Sequence, residues 1–296
     1  MTTTLIRTEP VGDSRYPRTP ARRRRGSGMN RKPRFAIAVT AVFFVLLYLP
    51  IVAVVVFSFN TKKSLTVFEG WSLRWYEAFF NDAELTKSLQ TSLVVAAVAM
   101  VGSVAIGALL GFGLVRARSR LGKAANFVML IPLITPEIVT GVASLMLFRG
   151  VGLQPSLTTL ILAQTTFSIS YVTVILRARI AELNPEVEEA AMDLGATRFQ
   201  ALRLVTLPVM WPAILSAAIL IFTMVFDDFV LAFFTSGVDP QPLSVRIYSA
   251  IRFGIQPSIN AVGTLMLAGS LLLIAIALLV PRLVGKRGNG LDLFGG

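Results

Sequence analysis

EVEEAAMDLGATRFQALRLVTLP, residues 186–208, is a polar, acid-fronted stretch between apolar blocks long enough to cross a bilayer. Its first half holds Glu186, Glu188, Glu189 and Asp193, carboxylates that are costly to place in lipid. The stretch therefore belongs in water, and the blocks on either side belong in the membrane. With 54% hydrophobic residues and a mean hydropathy of +0.71, the 296-residue chain is too apolar for an ordinary soluble domain. The blocks point to several transmembrane helices and an all-α polytopic membrane protein.

Working outward, six helices are expected, over about 35–59, 88–115, 124–148, 156–176, 209–236 and 258–283. The third is interrupted by Pro132 and Pro136. A charged loop over 62–87 carries Trp71, Trp75 and Tyr76, side chains suited to the membrane–water interface. In the second helix Gly107 and Gly111, with Gly102 and Gly113 nearby, permit close helix packing, and packing within the chain is the favoured reading over a dimer contact. Residues 1–34 are Pro-, Arg- and Thr-rich and read as a disordered basic tail. The first apolar block is too long for a cleaved signal, so a signal anchor is the better reading.

The net charge of +12 invites a nucleic-acid reading, but the basic residues sit in short runs beside the apolar spans, as around Arg116, Arg118, Arg120 and Lys123. Of the 28 Lys and Arg, 21 fall on the side of the N-terminal tail and 7 on the other. That bias predicts both termini, and the 177–208 segment, in the cytoplasm. The absence of Cys and His removes disulfides, thiolate metal sites and the usual proton relays, which disfavours hydrolytic or metal-dependent catalysis.

Within 177–208, Asn184 is placed to cap a helix, Pro185 suits its first position, and the acids favour its positive end. Gly195 is a stop. Phe199, Leu202 and Val205 are then spaced helically before Pro208. A short exposed helix, a glycine turn and a helix re-entering the membrane follow. A mere connector is the plain alternative, but about 30 residues is long for that task.

Glu189-Ala190-Ala191, three residues, Gly195, nine residues and Val205-Thr206-Leu207-Pro208 resemble the EAA signature of ABC-importer permeases. Val205 in place of Ile is the one departure. The resemblance extends over about 35–283 and is nearest the PotC-type spermidine/putrescine permease family. It is carried by Ser58-Phe59-Asn60, Trp75-Tyr76, Asp227-Asp228, the run 243–249 and the run 257–261. It implies a MetI-like, type I importer core over 35–283, with a short C-terminal tail over 284–296. It also implies a second permease subunit forming a heterodimer, an ATPase dimer, an extracytoplasmic substrate-binding protein and a place in the bacterial cytoplasmic membrane. By the same resemblance Glu189, Ala190, Ala191, Gly195 and Pro208 mark the ATPase-coupling segment. No phosphate-binding GxxxxGK[ST] occurs in the chain, so ATP and Mg are expected on the partner ATPase, with no cofactor here.

Three acids lie inside predicted spans: Glu137, Asp227 and Asp228. An ionisable residue there is a functional candidate by default. Counted along straight helices at ~1.5 Å per residue, they reach similar depth, roughly 20–24 Å from the cytoplasmic end. Glu137 follows Pro136 and suits the start of a broken half-helix. A continuous fifth helix puts Phe222, Phe226, Phe229 and Phe233 on one stripe, better read as packing than as a ligand cage. Asp227 and Asp228 flank the opposite direction. The acids are expected to line a substrate path and balance a passing polyamine, against the alternative of pairing with Arg or with an amide at a helix end. Another cargo on the same machinery, a stand-alone secondary transporter and a membrane enzyme are weaker readings, the last two because they leave the EAA loop unexplained or lack a nucleophile motif.

Overall fold

In the computed structural model, which describes residues 34–64, 66–116, 120–253 and 257–285, every apolar block is helical. α1 (Arg34–Phe57) is followed by the short α2 (Arg74–Asn81) and by α3 (Ala83–Arg116). α4 (Arg120–Ile134) and α5 (Glu137–Gly150) form a bent pair, and α6 (Leu157–Ala181) leads to the short α7 (Pro185–Asp193). α8 (Arg198–Ala201), a π turn (Leu202–Thr206) and α9 (Leu207–Asp227) run on as a single helix. α10 (Val230–Thr235), α11 (Leu243–Phe253) and α12 (Pro257–Gly285) follow. Among the described residues five helices are long and apolar enough to cross a membrane, and the α4–α5 pair makes a sixth when counted as one span.

By its internal packing the chain divides between Leu49 and Pro50, within α1. In the first unit the described residues are helical, with the Phe44 ring stacked on Tyr48 at 6.0 Å. The permease domain read over 35–283 straddles that division. The tails read over 1–34 and 284–296 lie outside the described residues except for Arg34, Val284 and Gly285, as does Arg118 of the basic loop.

The second unit is built on α3, α6 and α9, whose contact faces bury Val95, Ala99, Val172, Leu176, Met210 and Ile221. Glycine sets the α3–α6 approach. A Cβ on Gly107 falls 2.7 Å from Val172 and one on Gly102 falls 3.0 Å from Thr165, whereas Gly113 faces open space. Thr173 Oγ1 also donates to the Gly107 carbonyl at 3.4 Å. Gly102 and Gly107 therefore serve packing within the chain, as expected, and Gly113 does not.

Three sequence readings are corrected. α3 begins at Ala83 and α6 ends at Ala181, each five residues beyond the expected boundary, so their charged turns are helical too. Trp75 is buried at 6% exposure instead of standing at an interface, because its indole N–H donates to the Asn60 carbonyl at 2.8 Å. Asn60, fully buried, folds the whole loop: its amide donates to the carbonyls of Ser64 and Val67 at 3.0 and 2.8 Å and accepts from the Glu69 N–H at 3.0 Å. Each of these bonds replaces water that a buried polar group loses. The third correction concerns the fifth helix, which breaks at Asp228 rather than continuing to 236.

Candidate functional site

Two groups of residues bear on function, and each is made by local chemistry. The first begins where α4 stops. Thr135 precedes a proline, which disfavours helical geometry, and Pro132 and Pro136 each lack an N–H for the helix ladder. Thr135 Oγ1 turns back to the Ile131 carbonyl at 2.7 Å, Pro136 takes an extended ψ of 133°, and α5 departs at 110° to α4. Glu137 opens α5, at the end of a helix that favours negative charge. Depth counted along a straight third helix therefore holds only as far as the bend, which Glu137 directly follows.

The second break has no proline. α9 ends at Asp227, Asp228 is extended with ψ 126°, and α10 starts at Val230. The Asp228 side chain makes this possible. Its Oδ2 accepts the Ala232 N–H at 3.1 Å and a short bond from the amide of Gln164 on α6. Its carbonyl, left over at the end of α9, accepts Ser244 Oγ of α11 at 2.7 Å. The Ala232 N–H and the Asp228 carbonyl, both freed by the break, thus find partners. The same break splits the expected Phe stripe into two pairs. Phe222 stacks on Phe226, while Phe229 and Phe233 pack with Tyr248 at 4.7 and 5.8 Å.

α5 and α10, the two half-helices, pack on one another through Gly141, where a Cβ meets the Phe234 ring at 2.7 Å. Their pairing sets the Glu137 and Asp228 carboxyls close enough to interact. Carboxylates only accept hydrogen bonds, so two of them share one only through a proton or through a cation set between them. Asp227 stands apart from this pair. It is exposed, and Ser270 Oγ of α12 donates to it at 2.6 Å. The structure therefore joins Glu137 to Asp228 and leaves Asp227 on a different face. For Asp228 the helix-end amide alternative is realised alongside the approach to Glu137.

The other group is the segment between α6 and α9. Asn184 Oδ1 accepts the Glu186 N–H at 3.1 Å and caps α7, with Pro185 at its first position. Gly195 has φ +94°, a left-handed geometry that suits glycine, and Ala196 N–H closes the helix end on the Ala191 carbonyl at 3.1 Å. Thr197 and Gln200 then cap α8 reciprocally at 3.3 and 2.8 Å. Glu189 and Ala190 are exposed on α7, and Leu194 at 91% exposure projects beside Gly195. Pro208 does not join them: it lies in the first turn of α9, after the π turn. Its ring opposes the Leu204 carbonyl of a regular helix, and the wider π turn accommodates it.

Gln164, Ser244, Ser270 and Thr206 were missed from the sequence. Gln164 alone carried a signal, as the one amide side chain in the fourth predicted span. The hydroxyls act through partners more than 15 residues away.

Comparison with known proteins places this architecture. Residues 103–286 match the model of the binding-protein-dependent transport system inner membrane component family. The chain is 37% identical over 238 residues to the putrescine transport system permease protein PotI of Escherichia coli K12, covering 78% of this chain and 85% of that one. It is 36% identical over 241 residues to the spermidine/putrescine transport system permease protein PotC of Haemophilus influenzae, covering 81% and 94%. Among solved structures, a bacterial ABC transporter importing the acidic polysaccharide alginate shares the fold, with a TM-score of 0.66 at 15% identity, over 86% of this chain and 95% of that one. The chain belongs to the binding-protein-dependent transport system inner membrane component family and is a MetI-like permease subunit of an ABC importer.

Proposed function

We propose that this subunit imports a polyamine and forms half of the path, with a second permease subunit forming the other half. The cargo is supported by the names of the relatives, permeases for putrescine and spermidine. The observation that carries it is the meeting of Glu137 and Asp228 at two helix breaks, with Asp227 close by in sequence. A polycation needs sites that hold it and let it leave, and carboxylates on separate half-helices supply them. The alginate importer has the same fold with an anionic cargo; three acids inside the spans argue for a cation here.

In this reading both termini lie in the cytoplasm, as the basic bias predicts, and the 177–208 segment meets an ATPase dimer there. Glu189, Ala190, Ala191 and Gly195 make the contact, and Pro208 anchors the returning span. The partner ATPase binds ATP and Mg and performs hydrolysis. An extracytoplasmic binding protein delivers the cargo at the opposite end of the bundle.

The test is reconstitution with the neighbouring transporter subunits and a competition panel of polyamines. Replacing both Asp227 and Asp228 by Asn should abolish ATP-dependent putrescine or spermidine uptake while the ATPase still copurifies. Undiminished uptake removes these acids from the path. Failure of every polyamine to support uptake in the unaltered complex removes the cargo and favours another substrate on the same machinery.

A further inference from the structure

Thr206 occupies the unspecified position of the Val-Thr-Leu-Pro run, and Glu188 precedes the EAA triplet, so neither belongs to the signature. In the structure they are joined. Thr206 Oγ1, buried, donates to Glu188 Oε2 at 3.3 Å across 18 residues of chain. The bond ties α7 to the π turn at the foot of α9.

That turn is where the 30-residue helix Arg198–Asp227 is most open to rearrangement. Leu207 N–H bonds the Leu202 carbonyl, five residues back, and Pro208 has no N–H to offer Leu204. A wide turn and an omitted bond thus fall within seven residues. Beside them lies a half-open cleft of about 340 Å³, whose lining includes Val115, Ile180, Val187, Glu188, Val205 and Val209. Here α7 has room to approach the spans without first displacing side chains.

We propose that the π turn is the joint, and the Thr206–Glu188 bond the link, through which displacement of α7 is passed to α9. This rests on reading α7 as the ATPase contact. As α7 moves, Glu188 draws on Thr206 and the wide turn tightens toward α geometry. Residues before the turn then shift by one helical position, about 1.5 Å along the axis and about 100° around it. Leu207–Asp227 moves as a rod and delivers the displacement to the break at Asp228.

The chain contains no Cys, so Asp193→Cys, at an exposed position of α7 outside the assigned contact residues, gives it a single thiol for cross-linking to the ATPase in the assembled complex. Amide exchange over Leu202–Thr206, measured with and without a non-hydrolysable ATP analogue, reads the joint without depending on cargo. In the parent complex, nucleotide should change exchange there by about tenfold, the scale of one hydrogen bond to a charged group. Thr206→Val should abolish that response while the cross-link persists, and Thr206→Ser should restore it. Glu188→Ala removes the other half of the link and should behave as Thr206→Val does, which keeps the test open if the buried substitution fails to fold. An unaltered nucleotide response in both link-breaking variants, or no response in the parent complex, overturns the joint. Loss of the cross-link in Thr206→Val also overturns it, since Thr206 then holds the docking surface instead of transmitting motion. A cross-link absent from the parent complex fells the docking reading itself, and the joint with it.

Discussion

Replacing Asp228 by Ala tests whether one side chain both holds the break in the fifth span and faces Glu137. The structure sets two opposing effects. Loss of Oδ2 leaves the Gln164 amide and the Ala232 N–H, on residues each 2% exposed, without an acceptor. Buried donors stranded in this way cost about 1–3 kcal/mol each, so about 4 kcal/mol together. Against that, with neither proton nor cation between the two carboxylates, removing one from beside Glu137 relieves a like-charge contact. Glu137 is exposed, so solvent screening leaves that contact worth about 1 kcal/mol. The single variant therefore reads the difference of the two, about 3 kcal/mol, and the double-mutant cycle separates them. In a Glu137→Gln background the relief is gone, and Asp228→Ala should lower stability by about 4 kcal/mol, or about 8–16 °C in Tm. Asp227→Ala, which gives up one bond from Ser270 at an exposed position, should cost less than about 1 kcal/mol in either background. Asp228→Asn keeps an acceptor oxygen and gains an amide that can donate to Glu137, so it should be at least as stable as the parent. The assay is thermal unfolding of the full-length protein in nanodiscs, followed by the fluorescence of Trp71, Trp75 and Trp211. The reasoning fails if Asp228→Ala in the Glu137→Gln background costs no more than Asp227→Ala.

The parts legible from sequence are those written locally. The cap at Asn184-Pro185, the acids after it and the stop at Gly195 lie within a dozen residues, and the structure contains the helix they describe. The broken third span was foreshadowed by Pro132 and Pro136, since a proline withholds its N–H in any context. The break at Asp228 was not legible. No proline or glycine marks it, and the groups that satisfy it come from α6 and α11, 64 and 16 residues away. The helical pattern 222–233 was carried across the gap because periodicity registers side chains and says nothing of where a backbone amide finds its partner. Trp75 was misplaced for a related reason. An aromatic in a polar loop reads as interfacial until a buried Asn60 is known to fold that loop around it.

Two further outcomes follow from backbone geometry. At Gly195 a Cβ meets nothing within 4 Å, so Gly195→Ala acts through its φ of +94° alone. At about 1–2 kcal/mol of left-handed strain, amide exchange at Leu194 and Ala196 should quicken by about tenfold, and by less in Gly195→Asn, whose side chain tolerates that region. Gly107→Ala and Gly113→Ala make a matched pair on one helix. Both gain up to about 1 kcal/mol of helix propensity. Only at residue 107 does the added methyl fall 2.7 Å from Val172 and 3.2 Å from the Ile169 carbonyl. Val172 is fully buried and its Cβ cannot swing away by a change of rotamer, so the helices themselves must part, at about 1–3 kcal/mol. Gly107→Ala should therefore melt about 4–8 °C below Gly113→Ala in the same nanodiscs. Equal melting temperatures mean that α3 and α6 do not approach through Gly107. The packing that holds α6, and with it Gln164, against Asp228 then has to be sought elsewhere.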